Sequence, residues 1–224
     1  MKRVLRHIVA RTYKPVLEKY LSKTRTYRYG SIRLEVAPSV FHPGFFFTSR
    51  LLLNYVKEIP LTGKTLLEPG CGSGLLSIYA ARNGATVVAT DINPVATRML
   101  RRNCVKNDVE IKIIRSDLFE KIPAQQFDII AINPPFYKKE PQTAKDYAWY
   151  CGKNGEFFDR LFSQLRSYMH DSSLALMVLF DGCDLEMIYK TAATYGFKFQ
   201  CMVKSKNLLE NDFIYKIVPN IQMQ

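Results

Sequence analysis

The sequence predicts an α/β protein, doubly wound around a mostly parallel sheet and led by a short basic N-terminal extension. Three observations carry this expectation. Apolar strand-like segments alternate with helical ones across short connections from residue 49 onward. The stretches Thr65–Leu67 and Leu174–Phe180 read as strands buried on both faces, as expected of a sheet covered by helices on either side. The length of 224 residues, with 47% hydrophobic and 23% charged, suits one ordinary domain with a full core. Residues 1–45 are expected as a basic helix-and-hairpin extension, and residues 46–224 as the main domain.

The elements follow in order. Val4, Leu5, Ile8 and Val9, then Val16, Leu17, Tyr20 and Leu21, recur at helical spacing, with Pro15 breaking or kinking the run. Residues 25–37 alternate around Gly30 and read as a hairpin. A helix runs from Ser49 to Ile59 and stops at Pro60. Strand Thr65–Leu67, helix Gly74–Asn83 and strand Thr86–Thr90 come next. Helix Pro94–Asn107 begins with Asn93 as its cap and Pro94 in its first turn. Strands Ile111–Arg115 and Phe127–Ile132 follow. Glu156–Met169 reads as one helix, because Phe158, Leu161, Phe162, Leu165 and Met169 share a face. Leu174–Phe180 is a strand and Asp184–Tyr195 a helix, and two last strands fall near Phe197–Val203 and Phe213–Val218.

Composition narrows the function classes. No apolar run reaches the ~20 residues that cross a bilayer, and the charged start is not a secretory leader. Cys71, Cys104, Cys151, Cys183 and Cys201 are dispersed without a C-x-x-C pair, as are His7, His42 and His170. Reduced thiols in a cytoplasm are expected, and no metal site. The net charge is +12. Residues 1–30 hold nine Lys/Arg against Glu18 alone, so two thirds of that excess sits in the leading segment. Such a segment suits an anionic partner, nucleic acid before a membrane surface, although a solvated helix face has the same composition.

In a doubly wound sheet, ligands bind beyond the carboxyl ends of the strands, where the strand order reverses. The residues there are informative. Glu68-Pro69-Gly70-Cys71-Gly72-Ser73-Gly74 opens directly into a helix, its glycines allowing a tight turn and close ligand approach. The G-x-G-x-x-G of a dinucleotide site is absent, since its third glycine would fall at Leu75. Asp91 ends the second strand, where a carboxylate can accept both hydroxyls of a ribose. Ser116-Asp117-Leu118-Phe119 ends the third and offers a carboxylate and apolar cover to an adenine. Asn133-Pro134-Pro135-Phe136-Tyr137 ends the fourth. Its two prolines hold the chain extended and remove two donors, so the Asn133 side-chain oxygen and the Pro134 carbonyl face the cleft as acceptors, with Phe136 as a stacking plate. Two such acceptors suit the two protons of a planar NH₂ group.

The set LLEPGCGSG, ATDINP, SDLF and INPPF resembles the class I S-adenosylmethionine-dependent methyltransferases, within them the small group. That group includes ribosomal RNA guanine-N2, adenine-N6 and HemK-like protein-glutamine enzymes. The resemblance spans roughly Phe41 to the carboxyl terminus. It implies a Rossmann-like, seven-stranded sheet with a reversed last strand, making 46–224 a methyltransferase domain. It implies that Glu68 and Gly70, Gly72 and Gly74 hold the methionine part of S-adenosylmethionine. It places Asp91 on the ribose, Ile92 against the adenine, and Asp117 and Leu118 at the adenine edge. Thr48 stands at the spacing of a cofactor-contacting threonine in the HemK-like enzymes. Two departures bear on the substrate. Phe136 is closer to the RNA enzymes than the tyrosine usual in HemK-like ones, and the leading segment is short and basic where the bacterial glutamine enzymes have a helical bundle.

The expected reaction is direct methyl transfer to nitrogen. Asn133 (which would also touch the cofactor) and Pro134 accept the protons of the NH₂, Phe136 stacks the acceptor plane, and Pro135 and Tyr137 line the same pocket. The acceptor is expected on an RNA base, at guanine N2 or adenine N6. A protein glutamine or a small molecule is the alternative, and a nucleic-acid-binding module without catalysis the third reading.

Overall fold

The computed structural model describes residues 19–45, 47–207 and 210–220. The helical run expected from Val4 to Leu21 lies outside them up to residue 18, as do five of the nine cations of the leading segment.

Two short strands come first, β1 (Arg25–Tyr29) and β2 (Ile32–Val36), paired antiparallel around Gly30, which takes φ +55°. Helix α1 (Phe47–Lys57) leads into β3 (Thr65–Pro69), α2 (Leu75–Arg82), β4 (Thr86–Asp91), α3 (Pro94–Asn107), β5 (Lys112–Arg115) and β6 (Phe127–Ile132). Then come α4 (Glu156–Leu165), β7 (Met169–Phe180), α5 (Leu185–Thr194), β8 (Phe197–Lys206) and β9 (Asn211–Pro219). The caps that the sequence announces are made. Asn93 Oδ1 accepts from Val95 N–H at 2.9 Å, and Asp184 Oδ1 accepts from Met187 N–H at 3.1 Å.

The main sheet has seven strands in the order β5-β4-β3-β6-β7-β9-β8. The pairs from β5 through β7 are parallel, and β9 runs antiparallel to both neighbours, so the reversed strand is the last in the chain. The expected doubly wound, class I methyltransferase-like sheet is what forms. Successive residues of a strand face opposite sides. Leu66 and Ile129 enter a core with α1, α2, α3 and the hairpin, whereas Leu67 and Ile130 enter a second core with α4 and α5. The hairpin shares the first core through Ile32, Leu34 and Val36. Side-chain amides of α3 also bind its backbone. Asn103 pairs with both backbone polar groups of Glu35 at 2.8 and 3.0 Å, and Asn107 with those of Arg33 at 3.0 and 2.7 Å.

One expected boundary is corrected. The apolar face from Phe158 to Met169 is not one helix: α4 ends at Leu165, a single 3₁₀ turn covers Arg166–Tyr168, and Met169 opens β7. Met169 is buried as a strand residue opposite Phe127. The register then shifts across the polar run 170–173 before Leu174 pairs with Ile129. Among the described residues, no helix is long and apolar enough to cross a membrane, and no cluster of three or more His, Cys, Asp or Glu could hold a metal ion.

Candidate active site

The chain passes from β3 outward to β4 and β5, then returns to β6 on the other side of β3. The strand order reverses between β3 and β6, which opens a crevice at their carboxyl ends. A cavity of about 260 Å³ lies there. Its wall includes Glu68, Gly70, Gly72, Asp91, Ile92, Asp117, Leu118, Asn133, Pro134, Pro135 and Phe136, so four segments distant in sequence meet at one site.

The glycine turn and β4 are stitched together. Gly70 and Gly72 take φ +73° and +53°, the left-handed region, and a Cβ on Gly70 would point into open space. Asp91 Oδ2 accepts the Gly72 N–H at 2.9 Å and its Oδ1 accepts the Asn93 N–H at 2.8 Å. Each oxygen keeps a lone pair for a ligand. Burial raises the Asp91 pKa, and the two N–H donors counter this in part. Glu68 is buried, and its Oε2 accepts both the Ser77 N–H at 2.9 Å and the Ser77 hydroxyl. Burial dominates and pushes its carboxyl up to about 8. A cation placed against Glu68 would therefore draw out its charged form.

At the end of β5, Leu118 holds φ +45°, a conformation disfavoured for a branched side chain, while its carbonyl accepts the Thr90 hydroxyl at 3.4 Å. This turn presents Asp117, whose Oδ2 lies 3.5 Å from an Arg160 guanidinium nitrogen of α4. At the end of β6, Asn133 Nδ2 donates to Ser49 Oγ at 3.1 Å, while its Oδ1 is buried without a partner. An acceptor left open at the cavity wall can take a donor that arrives with a ligand.

Three expected site residues do not face the cavity. A Cβ on Gly74 would meet Leu100 Cδ1 at 2.1 Å, so this glycine caps α2 and lets α3 pack closely rather than admitting a ligand. Thr48 is buried behind the wall, its hydroxyl unpaired, and its neighbour Ser49 lines the cavity instead. Tyr137 turns outward, 47% exposed, with its ring edge-on to Phe180 at 6.2 Å. Phe136 does line the cavity but is itself buried, edge-on to Phe180 at 5.1 Å.

The rest of the wall lies where sequence reading found no signal. The segment after the double proline folds back on itself through bridges Tyr137–Tyr150 and Lys139–Gly152, and Phe136 and Tyr137 N–H both donate to the Trp149 carbonyl at 3.1 and 2.9 Å. This carries Tyr147 and Tyr150 to the cavity, which Phe41 also lines, its ring packed on Trp149 at 5.1 Å. The cavity that holds the Asn133 oxygen thus also has aromatic surfaces in its wall.

Residues 32–151 match the family model described as the methyltransferase small domain. A Methanocaldococcus jannaschii protein, named provisionally as a protein N5-glutamine methyltransferase, is 36% identical over 144 residues, which are 62% of this chain and 71% of that protein. The ribosomal RNA small subunit methyltransferase C of Hamiltonella defensa is 32% identical over 119 residues, 52% of this chain and 35% of its own length. Among solved structures, the Thermus thermophilus 16S rRNA N2 G1207 methyltransferase, in complex with AdoMet and guanosine, superposes with a TM-score of 0.60 at 19% identity, covering 87% of this chain and 50% of that one. That likeness shows a common fold.

Proposed function

This chain belongs to the methyltransferase small domain family, and from that premise we propose that it methylates the planar NH₂ group of an RNA base, guanine N2 or adenine N6. S-adenosylmethionine is the methyl donor and supplies an electrophilic methyl on a sulfonium. The donor set fits it. Asp91 offers one lone pair on each oxygen to a ribose, Glu68 gains by a cation nearby, and the open side of Gly70 admits close approach.

The observation that carries the reading is the orphaned Asn133 Oδ1 at the cavity wall. Ser49 holds the amide nitrogen, which leaves the oxygen to accept a proton of the incoming NH₂. The Pro134 carbonyl accepts a hydrogen bond from the second N–H, and the two bonds together turn the nitrogen lone pair toward the methyl. S-adenosylmethionine would supply the methyl to that lone pair, and the surplus proton of the methylated nitrogen would pass to water while Asn133 and Pro134 hold the group by hydrogen bonds. Pro134 and Pro135 keep the segment rigid, and Phe136, backed by Phe180, helps fix the plane of the acceptor. The aromatic wall of Phe41, Tyr147 and Tyr150 and the +12 charge favour a base on an RNA.

A protein glutamine is the second reading, favoured by the name of the Methanocaldococcus jannaschii relative. The deciding experiment incubates the protein with methyl-labelled S-adenosylmethionine and an extract of cells lacking it, then separates RNA from protein. Label in RNA, released as methylguanine or methyladenine, supports the proposal. Label in protein alone overturns it in favour of glutamine.

A further inference from the structure

The cavity wall carries five acidic side chains, Glu68, Asp91, Asp117, Glu140 and Glu156, against one guanidinium, Arg160, and it stays acidic even with Glu68 held protonated by burial and Asp117 paired with Arg160. Such a wall repels phosphates, so an RNA that inserts a base there must be attracted elsewhere. Helix α3 starts at that wall, with Ala96 in it. Its exposed residues are Arg98, Arg101, Arg102, Val105 and Lys106, and the helix holds no acid. Helices α1 and α2 also lack acids but carry only Arg50 and Lys57, and Arg82, whereas α4 mixes Glu156 and Asp159 with Arg160 and α5 pairs Glu186 with Lys190. Arg101 is laid down against the Thr97 and Ile113 carbonyls, but among the described residues Arg98 and Arg102 have no hydrogen-bond or ion-pair partner.

The hairpin extends the same surface. Arg28 and Arg33 sit directly opposite each other on β1 and β2, both exposed. Like charges in that position oppose strand pairing, so the arrangement lowers stability unless an anion joins it. The Lys106–Glu35 ion pair ties the outer face of the hairpin to that of α3. From Ala96 to Asn107 the helix rises about 16 Å, which leads a basic track from the cavity wall to the hairpin, interrupted at its end by the Lys106–Glu35 pair and the capping acid Asp108.

We propose that the outer faces of α3 and the β1–β2 hairpin, through Arg98, Arg102, Arg28 and Arg33, bind the phosphate backbone of the RNA whose base enters the cavity. The inference rests on the reading of the substrate as RNA and adds the surface that holds it. A neutral NH₂-bearing ring passes the acidic wall while the charged backbone stays outside on the track. The contacts are to phosphate, so they set affinity and orientation and leave the choice of base to the cavity.

The test compares Arg98→Glu/Arg102→Glu with wild type for binding an end-labelled single-stranded RNA of mixed sequence at several salt concentrations. Each phosphate contact on a single strand contributes about 0.7 to the log–log salt slope, hence about fivefold in affinity near 0.1 M salt. Loss of both contacts should weaken binding about 25-fold there and lower the slope by about 1.4. Melting temperature and S-adenosylmethionine affinity should stay at wild-type values. If the reversal variant does not fold, Arg98→Gln/Arg102→Gln should show the same fall in slope. Lys198→Glu/Lys206→Glu, on β8 at the opposite edge of the sheet, should leave the slope unchanged. An unaltered slope in the folded α3 variant, or an equal loss in the β8 variant, overturns the surface. If that happens while wild type still labels RNA, the surface fails alone. Wild type that neither binds nor labels RNA but labels protein overturns the substrate reading as well.

Discussion

Along the cavity wall four of the five acids are held in place: Asp91 by two backbone N–H groups, Glu68 by Ser77, Glu156 by Asn154 and Asp117 by Arg160. On α3, which starts at that wall, Arg98 and Arg102 have no such partner among the described residues. The difference matches what we propose that each region binds. Fixed carboxylates around a small cavity suit a compact cation whose groups must be placed to fractions of an ångström for methyl transfer. Mobile, solvated cations on an open face suit a polyanion, for which charge and rough position suffice. A net charge of +12 thus describes neither region.

The largest expected effect separates the wall's two tasks. Asn133→Ala removes the acceptor of the NH₂ proton without touching the carboxylates, so transfer should fall by ~10²–10³, the usual loss for one preorganised polar group. Cofactor affinity should remain close to wild type. Label transfer and calorimetry on one preparation check this, and lost cofactor binding in a folded protein would place Asn133 on the donor rather than the acceptor. Asp91→Ala should do the reverse. Its hydrogen bonds to a ribose are charge-assisted, ~1.5–3 kcal/mol, so the cofactor Kd should rise roughly 10- to 150-fold. An unchanged Kd would leave Asp91 as no more than the brace between the Gly72 and Asn93 amides.

The joint between the two regions can also be broken. Gly74 ends the glycine turn against Leu100 of α3. Gly74→Ala adds a left-handed alanine and an overlap with a core side chain, costing ~1–3 kcal/mol. Gly70→Ala meets only the backbone cost, about 1 kcal/mol, because its side is open. Denaturant midpoints should rank Gly74→Ala below Gly70→Ala, whereas cofactor affinity should suffer more in Gly70→Ala. The opposite ranking on both measures would restore Gly74 as a ligand position.

The strands and caps were legible because burial on both faces and N-cap chemistry are local properties. Phe127–Ile132 and Pro94–Asn107 have the bounds the sequence suggests. Met169 misled because an apolar residue fits the buried face of a helix and the interior of a strand equally well. The four strand-end motifs were legible because the reversal in strand order makes distant segments meet. The aromatic wall of Tyr147 and Tyr150 was not, since that segment has no periodicity and depends on bridges to Tyr137 and Lys139. Asn103 and Asn107 gave no sign of binding the hairpin, because a polar residue on an amphipathic helix ordinarily faces water. Arg160 was hidden for the same reason.

The smallest effect sharpens the count of charges on the wall. Glu68 is pushed up to about 8 in the folded protein by burial, from an ordinary value near 4.5. Between these values the folded state binds more protons than the unfolded one, so stability is fully present below about 4.5 and declines as pH rises toward 8. Asp212, raised to about 7 by burial with Glu210 and Asp181 adding to it, acts in the same direction over a shorter span. One proton sets a slope of at most about 1.4 kcal/mol per pH unit. Glu68→Gln should therefore flatten the decline, most visibly between pH 7 and 8, where Asp212 has largely titrated. Denaturation midpoints across that range measure it. A bound cation beside Glu68 favours its charged form, so S-adenosylmethionine affinity should rise from pH 6 to 8 in wild type and stay level in Glu68→Gln. Parallel pH profiles for the two proteins would mean that Glu68 is already ionised and that the cavity carries its full complement of negative charge at neutral pH.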